Sequence, residues 1–591
     1  MCGIVACRTG SPAADFLLRA LRRLEYRGYD SVGVAVWTVD GGIARLRTTD
    51  RVCSLERAVA SWSGPALGNV GIGHSRWATH GSACVANAHP HTDCSGRIHL
   101  VHNGIIENAD DLRGELKRRG HRLSSSVDSE VICHLIEEKL CERGGLVAAV
   151  RDSLPALRGS WALAVLEEGS GRVVVAAHRC PLLIARSPAG LFATSDIAAV
   201  AEWVEDYHVL MDGDVVELTD SYFACERSAP PAVASGGSAD YDIELYGYTD
   251  YMAKEIDEQP AAAARVIDEL AGRVANGELW REQGLASFER LQIVGCGTSL
   301  NAGHVIGNLV RRLGRVPTRL TVASEATDEV SEPHMLRLAI SQSGETADVL
   351  HAVRHGVEAI PLLALTNNPH STLARQADAV IMCSAGPEIG VAATKTFVCQ
   401  VIAGAAIMLS ALVATNRLTS REAGEFVEQI RALPDRLAAA SAAAKCVVPP
   451  LAEELSSAAG FLFIGRGLAV PYAAEGALKL KELSYRWAQH YPAGELKHGP
   501  LALVGEGTPV VAVLSGDSKI FGNIAEVEAR GGRVICVGPA PSTIAVPVDP
   551  GAPWGPLEGV VALQIFARTV GLSLGWDVDK PRNLAKSVTV E

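Results

Sequence analysis

The sequence predicts a multidomain protein, with a mixed α+β domain of packed sheets first and two related α/β domains with doubly wound parallel sheets after it. Its 591 residues are too many for one hydrophobic core and suggest roughly three or four domains. Short β-branched segments between Gly-rich turns, alternating with helical periodicity, indicate the first domain. A repeated order of strand, Gly/Ser loop and helix indicates the other two.

The first domain is predicted to span residues 1–225. Strands are expected at 29–36 and 213–218, and helices at 109–119 and 129–142. A Pro/Ala/Ser/Gly stretch at 228–238 then breaks the pattern. Such composition is typical of a linker, which we predict over residues 226–245.

Beyond the linker, apolar strands run into Gly/Ser loops followed by helices. This occurs at 291–299 and 338–346, and the pattern restarts at 461–467 and continues through 509–514 and 534–537. The restart predicts one α/β domain over 246–425 and a second over 426–574. Residues 575–591 are left as a C-terminal tail.

Composition narrows the classes of protein. With 54 Lys+Arg against 67 Asp+Glu, the net charge of −13 offers no basic surface for nucleic acid. We find no apolar run of about 18 residues free of charge and no secretory leader, so we expect no membrane span and a cytoplasmic location. The 14 cysteines lack CxxC pairs, a pattern that predicts neither a disulfide framework nor a metal site.

Cys2 follows the initiator methionine in Met1-Cys2-Gly3. Removal of Met1 leaves an α-amine and a thiol on one residue. An α-amine titrates at about 7.7–8.0 and a thiol at about 8.5, so the amine is able to take the thiol proton near neutral pH. Cys2 is therefore a candidate nucleophile with its own base, and the alternative is an ordinary cysteine near the start.

Loops of the first domain supply groups that suit a free α-amino acid. Arg76, in the segment that continues Trp77-Ala78-Thr79-His80, offers a guanidinium for a carboxylate, and Asp128 suits an α-ammonium. Asn103-Gly104 offers a side-chain amide and a backbone N–H, the parts of an oxyanion hole. Each alone also fits a turn or a structural ion pair.

These segments resemble the N-terminal-nucleophile glutamine amidotransferase domain, which has an αββα sandwich fold. The motifs, in order, are MCGIVA, EYRGYDS, GHSRWATHG, NAHPH, VHNGIIEN and VDSEV. The resemblance implies that Cys2 attacks the glutamine amide, Asn103 and Gly104 stabilise the oxyanion, and Arg76 and Asp128 hold the amino acid. The binding residues it further implies are Arg27, Trp77, Thr79, His80 and His89.

The second half must then supply an acceptor for ammonia. Ser341-Gln342-Ser343-Gly344-Glu345-Thr346 lies between an apolar strand and a helix, where free N–H groups favour a phosphate. A simple helix cap is the alternative. Together with Thr298 and Ser299 in the preceding loop, these hydroxyls favour a phosphosugar pocket.

These loops resemble the sugar-isomerase (SIS) domain, and the whole chain resembles the glucosamine-6-phosphate synthase family. EIGVAATKTF, EGALKLKELSY, AGELKHGPLAL and PRNLAKSVTVE carry the C-terminal part of that resemblance. It implies fructose 6-phosphate as the acceptor, held by Thr298, Ser299, Ser341, Gln342, Ser343, Thr346 and Val391. In the second SIS domain the corresponding loop, 514–518, carries Asp517, which would oppose a phosphate, so we expect one sugar site per chain.

Glu475, Lys479, Glu482 and Arg486 form one stripe on a helix predicted over residues 475–489. A solvated, ion-paired helix face without a catalytic role is one interpretation of this stripe. The resemblance instead implies that Glu482 moves a proton between C1 and C2 of the sugar, beside Lys479. It also implies that His498, contributed by the partner subunit of a homodimer, opens the sugar ring.

Lys586 near the C-terminus would ordinarily be an exposed tail lysine. The resemblance places it at the sugar C2, where an amine forms a Schiff base or polarises the ketose, and where the tail closes over the pocket. No metal or redox cofactor is implied. The fragment Gly465-Arg466-Gly467 lacks the rest of a dinucleotide-binding motif.

Four positions depart from the family pattern. Leu300-Asn301 replaces the usual Tyr-His, Ala393 stands where a serine is usual, and Asp250 replaces a histidine. These departures leave open a paralogue that aminates a related ketose phosphate. The remoter alternatives are a sugar-phosphate sensor without catalysis and another glutamine amidotransferase, such as an asparagine synthetase. Residues 235–240 of this chain resemble the pyrophosphate loop of asparagine synthetases only faintly.

Overall fold

The structure, a computed structural model, describes residues 2–77, 81–220, 222–225, 233–235, 244–354 and 360–588. The chain divides into two compact units. One contains residues 1–243 together with 585–591, and the other contains residues 244–584.

The described part of the first unit contains two antiparallel sheets. One has the strand order β14-β11-β9-β10-β1-β4-β2-β3 and the other β13-β12-β8-β7-β6-β5. The strands are β1 (Gly3–Thr9), β2 (Ser31–Thr38), β3 (Ile43–Thr48), β4 (Leu67–Arg76), β5 (His91–Thr92), β6 (Ile98–Ile106), β7 (Gly159–Glu167), β8 (Val173–His178), β9 (Leu183–Ser187), β10 (Gly190–Thr194), β11 (Asp206–Val209), β12 (Val215–Leu218), β13 (Phe223–Cys225) and β14 (Val233–Ser235).

Helices cover the outer faces of these sheets. They are α1 (Ala13–Leu24), α2 (Val52–Ala60), α3 (Ala109–Arg118), α4 (Glu130–Arg143) and α5 (Leu146–Ser153). One core lies between the sheets and contains Ile4 and Val101. A second core joins α1 to the first sheet, and a third joins α4 to the second. The layers therefore run α, β, β, α, which confirms the predicted sandwich.

In its described part, the second unit contains two parallel five-stranded sheets, ordered β16-β15-β17-β18-β19 and β21-β20-β22-β23-β24. Their strands are β15 (Arg290–Gly295), β16 (Thr318–Val322), β17 (Met335–Ser341), β18 (Leu362–Thr366), β19 (Ala379–Met382), β20 (Gly460–Gly465), β21 (Trp487–Pro492), β22 (Pro509–Val513), β23 (Arg533–Gly538) and β24 (Ile544–Ala545).

Both parallel sheets carry apolar cores on both faces, as doubly wound sheets do. The helices are α6 (Tyr251–Asp257), α7 (Gln259–Leu270), α8 (Glu278–Arg281), α9 (Gly297–Gly314), α10 (Ala347–Arg354), α11 (Thr372–Gln376), α12 (Lys395–Ala414), α13 (Ser420–Arg431), α14 (Leu433–Leu455), α15 (Val470–Ser484), α16 (Ile520–Glu528) and α17 (Gly559–Ser573). In each sheet the strand order reverses direction at the second strand, which creates a switch point between β15 and β17 and another between β20 and β22.

Helix α12 corrects one expectation. Residues 396–416 carry no charge, and by length and composition α12 is the one helix among the described residues that is able to cross a membrane. In this fold 89% of the most apolar 18-residue stretch of α12 is buried, because neighbouring helices surround it. A helix that is apolar on all sides is what the centre of a large core requires.

The predicted helix over 475–489 is too long. Helix α15 ends at Ser484, because Tyr485 takes a left-handed conformation with φ of 58°. Trp487, which the predicted helix would have contained, therefore begins strand β21 and is 80% exposed. Within the predicted linker, Val233–Ser235 forms β14 and pairs with β11.

Candidate active site

Cys2 lies at the start of β1, beside the end of β4. The Trp77 amide donates to Cys2 Sγ at 3.2 Å, and the Asn103 side-chain amide donates to the Cys2 carbonyl at 3.0 Å. Burial raises the pKa of the Cys2 thiol, while the Trp77 amide and the charges of Arg76 and Arg27 act in the opposite direction. Burial is the larger effect, so the pKa of the thiol is raised on balance, and the amide and the two guanidinium groups reduce that rise.

Asn103 is held in one orientation by His74. The His74 Nε2 lies 3.1 Å from the Asn103 side-chain oxygen and 3.0 Å from the His102 carbonyl. Burial lowers the pKa of His74 to about 3, so a neutral ring donates from Nε2 to both oxygens. The amide nitrogen of Asn103 is therefore the atom turned toward Cys2.

Gly104 occupies a position where a side chain does not fit. Its φ is 124°, and an added Cβ would lie 2.1 Å from the Ser160 carbonyl oxygen on β7. Glycine is therefore required for β6 to keep its close approach to β7 at this point. This conformation sets the direction of the backbone beside Asn103.

Charged groups surround the thiol. Arg27 donates to Asp196 at 2.5 Å and to the Cys2 carbonyl at 3.4 Å. Burial lowers the pKa of Arg76, and the charges of Cys2 and Asp128 oppose this change. The Asp128 carboxylate accepts the Ile106 amide at 2.9 Å, which fixes it at the end of β6.

The remaining residues predicted for glutamine fall into two groups. His89 stacks on His74 with ring centroids 4.1 Å apart, so it packs behind the oxyanion residues. Trp77 packs edge-to-face on Tyr29 with centroids 5.4 Å apart. Thr79 and His80 lie outside the described residues.

The predicted phosphate loop, residues 341–346, lies at the first switch point. Ser341 Oγ lies 2.9 Å from Thr346 Oγ1 and accepts the Gly344 amide at 3.0 Å. Ser343 Oγ accepts the Glu345 amide at 3.1 Å, and the Gln342 carbonyl accepts from Thr366. The hydroxyls thus converge in the crevice where ligands bind in such sheets.

The loop after β15 completes this switch point and connects it to α15. Thr298 donates to Glu475 Oε1 at 3.0 Å and accepts from Lys479 Nζ at 3.1 Å. Ser299 accepts from Gln400 of α12 at 3.0 Å. The predicted sugar-binding residues of the first loop are therefore tied directly to the predicted catalytic helix.

Lys479 lies between two carboxylates. Its Nζ is 2.7 Å from Glu482 Oε2 and 3.5 Å from Glu475 Oε1. The Lys479 and Glu475 side chains are 1% and 0% exposed, against 19% for Glu482. Burial acts to lower the pKa of Lys479, but the two carboxylates raise it, and burial raises the pKa of Glu475. The solvated-face interpretation is thus wrong, and Glu482 is the member of the group that reaches open space.

Two of the four departures have structural roles. Asn301 donates to Glu475 Oε2 at 2.8 Å. Asp250 caps α6 by accepting the Ala253 amide at 2.8 Å, and it forms an ion pair with Arg568. Although burial acts against it, these partners lower the pKa of Asp250. Nothing in the structure explains Leu300 or Ala393.

The loops at the second switch point are joined by an ion pair. Arg466, after β20, donates to Asp517 at 3.0 Å, and Ser515 donates to the Arg466 carbonyl at 3.2 Å. The Asp517 carboxylate, which would repel a phosphate, thus neutralises the Arg466 guanidinium. This arrangement supports a single sugar site per chain.

The segment that leads into the tail is anchored near α15 and the Val391 loop. The Val391 amide donates to the Asp579 carbonyl at 3.0 Å. The Arg582 guanidinium lies 4.3 Å from the centre of the Tyr485 ring, directly after α15. Lys586 itself groups with the first unit and is half-buried. His498 ends a short 3-10 helix after β21 and is exposed.

Sequence reasoning missed several supporting residues: His74 behind Asn103, Asp196 beside Arg27, Gln400 beside Ser299, and Glu475 as the buried centre of the lysine network. His74 stands inside GHSRWATHG, so its motif was visible. Glu475 was seen only as part of a stripe. Asp196 and Gln400 are far from their partners in sequence and left no local signal.

The fold and the two sites define the class of protein, an N-terminal-nucleophile glutamine amidotransferase domain joined to a pair of SIS domains. The family model for the glutamine amidotransferase domain matches residues 74–202, and that for the SIS domain matches residues 284–410 and 454–545. A solved structure, the C-terminal domain of glucosamine-fructose-6-phosphate aminotransferase from Francisella tularensis, is 35% identical. It superposes with a TM-score of 0.52 and covers 57% of this chain and 99% of that one.

Relatives along the full length give the particular family. Glutamine–fructose-6-phosphate aminotransferase (isomerizing) of Thermus thermophilus is 41% identical over 615 residues, and that of Streptomyces coelicolor is 39% identical over 623, each covering 100% of both chains. The chain belongs to the glutamine–fructose-6-phosphate aminotransferase (isomerizing) family.

Proposed function

We propose that this protein converts fructose 6-phosphate and glutamine into glucosamine 6-phosphate and glutamate. The observation that carries the proposal is the Thr298–Glu475–Lys479 network, which joins the loop after β15 to the helix of Glu482 through the buried side chains of Glu475 and Lys479. The relatives, which bear the name of this activity over their full length, support the same substrates.

In the first unit, the Cys2 thiolate attacks the side-chain amide carbon of glutamine. The oxyanion accepts hydrogen bonds from the Asn103 amide and the Gly104 N–H, and collapse of the tetrahedral intermediate releases ammonia and leaves a thioester. Water then hydrolyses the thioester to glutamate. Arg76 and Asp128 hold the carboxylate and the ammonium of the amino acid.

In the second unit, Ser341, Ser343 and Thr346 hold the phosphate together with Thr298, Ser299, Gln342 and the Val391 backbone. Ammonia adds to the C2 carbonyl of the open ketose, and water leaves to give an imine. Glu482 then removes a proton from C1 and returns it to C2, while the C1 hydroxyl proton passes to the imine nitrogen, which turns the ketose imine into the aldose amine. Lys479 orients the Glu482 carboxylate through the contact of 2.7 Å between Nζ and Oε2.

Two residues act from outside this network in the proposal. His498 of the partner subunit opens the sugar ring, so the working protein is a homodimer. We place this homodimer in the cytoplasm. Lys586 meets the sugar C2 when the tail covers the pocket. The anchoring of residues 579 and 582 beside the Val391 loop and α15 supports this path for the tail.

The test is product analysis by mass spectrometry with glutamine and fructose 6-phosphate. We expect glucosamine 6-phosphate from the unmodified protein and none from Cys2→Ala or Glu482→Gln. The Glu482→Gln variant should still hydrolyse glutamine. Release of glutamate without any aminosugar from the unmodified protein would overturn the acceptor assignment, and repetition with other ketose phosphates would then identify the acceptor.

A further inference from the structure

A group of four side chains with metal-binding atoms lies in the first unit, and none of the four takes part in the proposed reaction. Cys94 follows β5, His121 follows α3, and His134 and Glu137 lie one turn apart on α4. Their ligand atoms all lie within 4.8 Å of one another, and this is the one such group found among the described residues.

Four of the six distances between these atoms match the edges of a tetrahedron around one ion, and the other two are at most 4.8 Å. Cys94 Sγ lies 3.6 Å from His121 Nδ1 and 3.5 Å from His134 Nδ1. Glu137 Oε2 lies 3.0 Å from His121 Nδ1 and 3.2 Å from His134 Nδ1. Zinc bonds of about 2.3 Å to sulfur and about 2.0–2.1 Å to nitrogen or oxygen give tetrahedral edges of about 3.5 and 3.3 Å.

The geometry points to a structural Zn²⁺ site formed by Cys94, His121, His134 and Glu137. A thiolate, two imidazoles and a carboxylate suit zinc better than magnesium or calcium, which prefer oxygen ligands. Four protein ligands leave no open position, so the ion has a structural role. On binding, the Cys94 thiol loses its proton to solvent and the sulfur bonds to the metal.

Neighbouring groups are placed as a second shell around such an ion. His121 Nε2 lies 3.2 Å from Glu138 Oε1, so one neutral tautomer donates to Glu138 and keeps the Nδ1 lone pair for the metal. The Arg122 amide donates to Cys94 Sγ at 3.3 Å, and the Cys94 amide donates to Glu137 Oε2 at 3.3 Å. These bonds hold the sulfur and the carboxylate in place.

The site joins three segments that are separate in the sequence. It fastens the turn between β5 and β6 and the loop after α3 to helix α4. The loop that runs from His121 into α4 also carries Asp128. The inference departs from the prediction of no metal site, which rested on the absence of paired cysteines. It is independent of the proposed function.

The test uses the full-length protein, its metal content and cobalt as a spectroscopic probe. We expect about one zinc per chain after equilibration with zinc and removal of excess, and loss of most of it in Cys94→Ser and Glu137→Gln. Cobalt should give thiolate charge-transfer and tetrahedral d–d bands in the unmodified protein. The matched control is Cys141→Ser, an exposed cysteine on the same helix, which should keep both.

A chelator should also lower the unfolding temperature of the unmodified protein and leave Cys94→Ser unchanged. The inference fails if the unmodified protein, equilibrated with zinc, holds less than about a tenth of an equivalent and gives no cobalt–thiolate band. It also fails if Cys94→Ser keeps the metal. The cobalt spectrum of the unmodified protein decides the question even if a variant does not fold.

Discussion

A single hydrogen-bonding group decides which face Asn103 presents to the glutamine site. His74 is neutral at physiological pH because burial lowers its pKa to about 3, and it donates to the Asn103 oxygen. The amide nitrogen is thus oriented before substrate arrives. Such orientation costs the protein nothing during the reaction.

Replacement of His74 should therefore impair catalysis more than binding. In His74→Leu we expect kcat for glutamine hydrolysis to fall about 100-fold, the loss typical of a misplaced oxyanion donor, with KM nearly unchanged. Steady-state glutamate release measures both constants. His99→Gln is the control, since His99 lies on β6 with Asn103 but bonds to the Gly96 carbonyl in the turn before that strand. An equal loss in the control, or a change confined to KM, would contradict the role of His74.

Removal of the Lys479 charge should destabilise the second unit. Lys479→Met leaves Glu475 buried without its cation, a change that typically costs about 3–5 kcal/mol. The pKa of Glu475 is already raised by burial and Lys479 opposes this, so the variant raises it further. A buried carboxyl whose pKa is raised by folding stabilises the folded state at low pH, where the carboxyl is protonated. That contribution is lost as the pH rises from about 4.3 through the pKa of the folded state.

The loss in Lys479→Met should therefore be larger at pH 8 than at pH 5. Urea unfolding at the two pH values measures it. Lys481→Met, on the exposed face of the same helix, should cost little at either pH. A loss that does not depend on pH, or an equal loss in the control, would show that the charge network does not set the stability.

At the scale of elements, the phosphate loop depends on one glycine. Gly344 has a φ of 64°, and an added Cβ would lie 2.1 Å from Ser371 Oγ, which caps α11. Gly467, in the second SIS domain, has a φ of 56° but no atom within 4 Å of an added Cβ. Alanine substitutions at these two glycines therefore separate the effect of backbone strain from the effect of a steric collision.

Gly344→Ala should therefore displace the loop, whereas Gly467→Ala should only strain the backbone. We expect a loss of about 1–3 kcal/mol and a several-fold rise in KM for fructose 6-phosphate in the first variant. The second should lose about 1–2 kcal/mol with KM unchanged. Thermal unfolding and initial rates measure these effects. An unchanged KM in Gly344→Ala would remove the loop from the sugar site.

Much of the element pattern could be predicted because it depends on local periodicity. Alternation and Gly/Ser loops placed β15 and β17, and helical spacing placed α3 and α4 to within a residue or two. The end of α15 was missed because nothing in the sequence marks Tyr485 for a left-handed conformation. Contacts between distant segments, such as Arg27 with Asp196 or the four ligands of the proposed zinc site, have no local signature and need the fold.

At the scale of the molecule, shared sites can be tested by complementation. If His498 acts across a homodimer, His498→Ala and Glu482→Gln are each inactive, but a mixed dimer has one site with both intact groups. Random mixing makes half of the dimers mixed, each with one of two sites working. Activity should therefore return to about a quarter of the unmodified level, as measured by aminosugar formation after joint refolding or co-expression.

The two variants mixed as preformed dimers, without exchange of subunits, are the control and should stay inactive. Full absence of activity after exchange would place His498 in its own chain's site or outside catalysis.

The domain boundaries predicted at residues 225, 245, 425 and 574 remain predictions. Limited proteolysis at the segment 226–245 is the direct measurement of the first two.

The apolar helix α12 has a consequence for synthesis of the chain. When an uncharged segment of this length is exposed before it folds, chaperones and the membrane-insertion machinery bind it. The helices that cover it most extensively, α7, α8 and α9, all precede it in the chain. These three helices have left the ribosome by the time α12 emerges, so α12 is able to pack against them as soon as it is made.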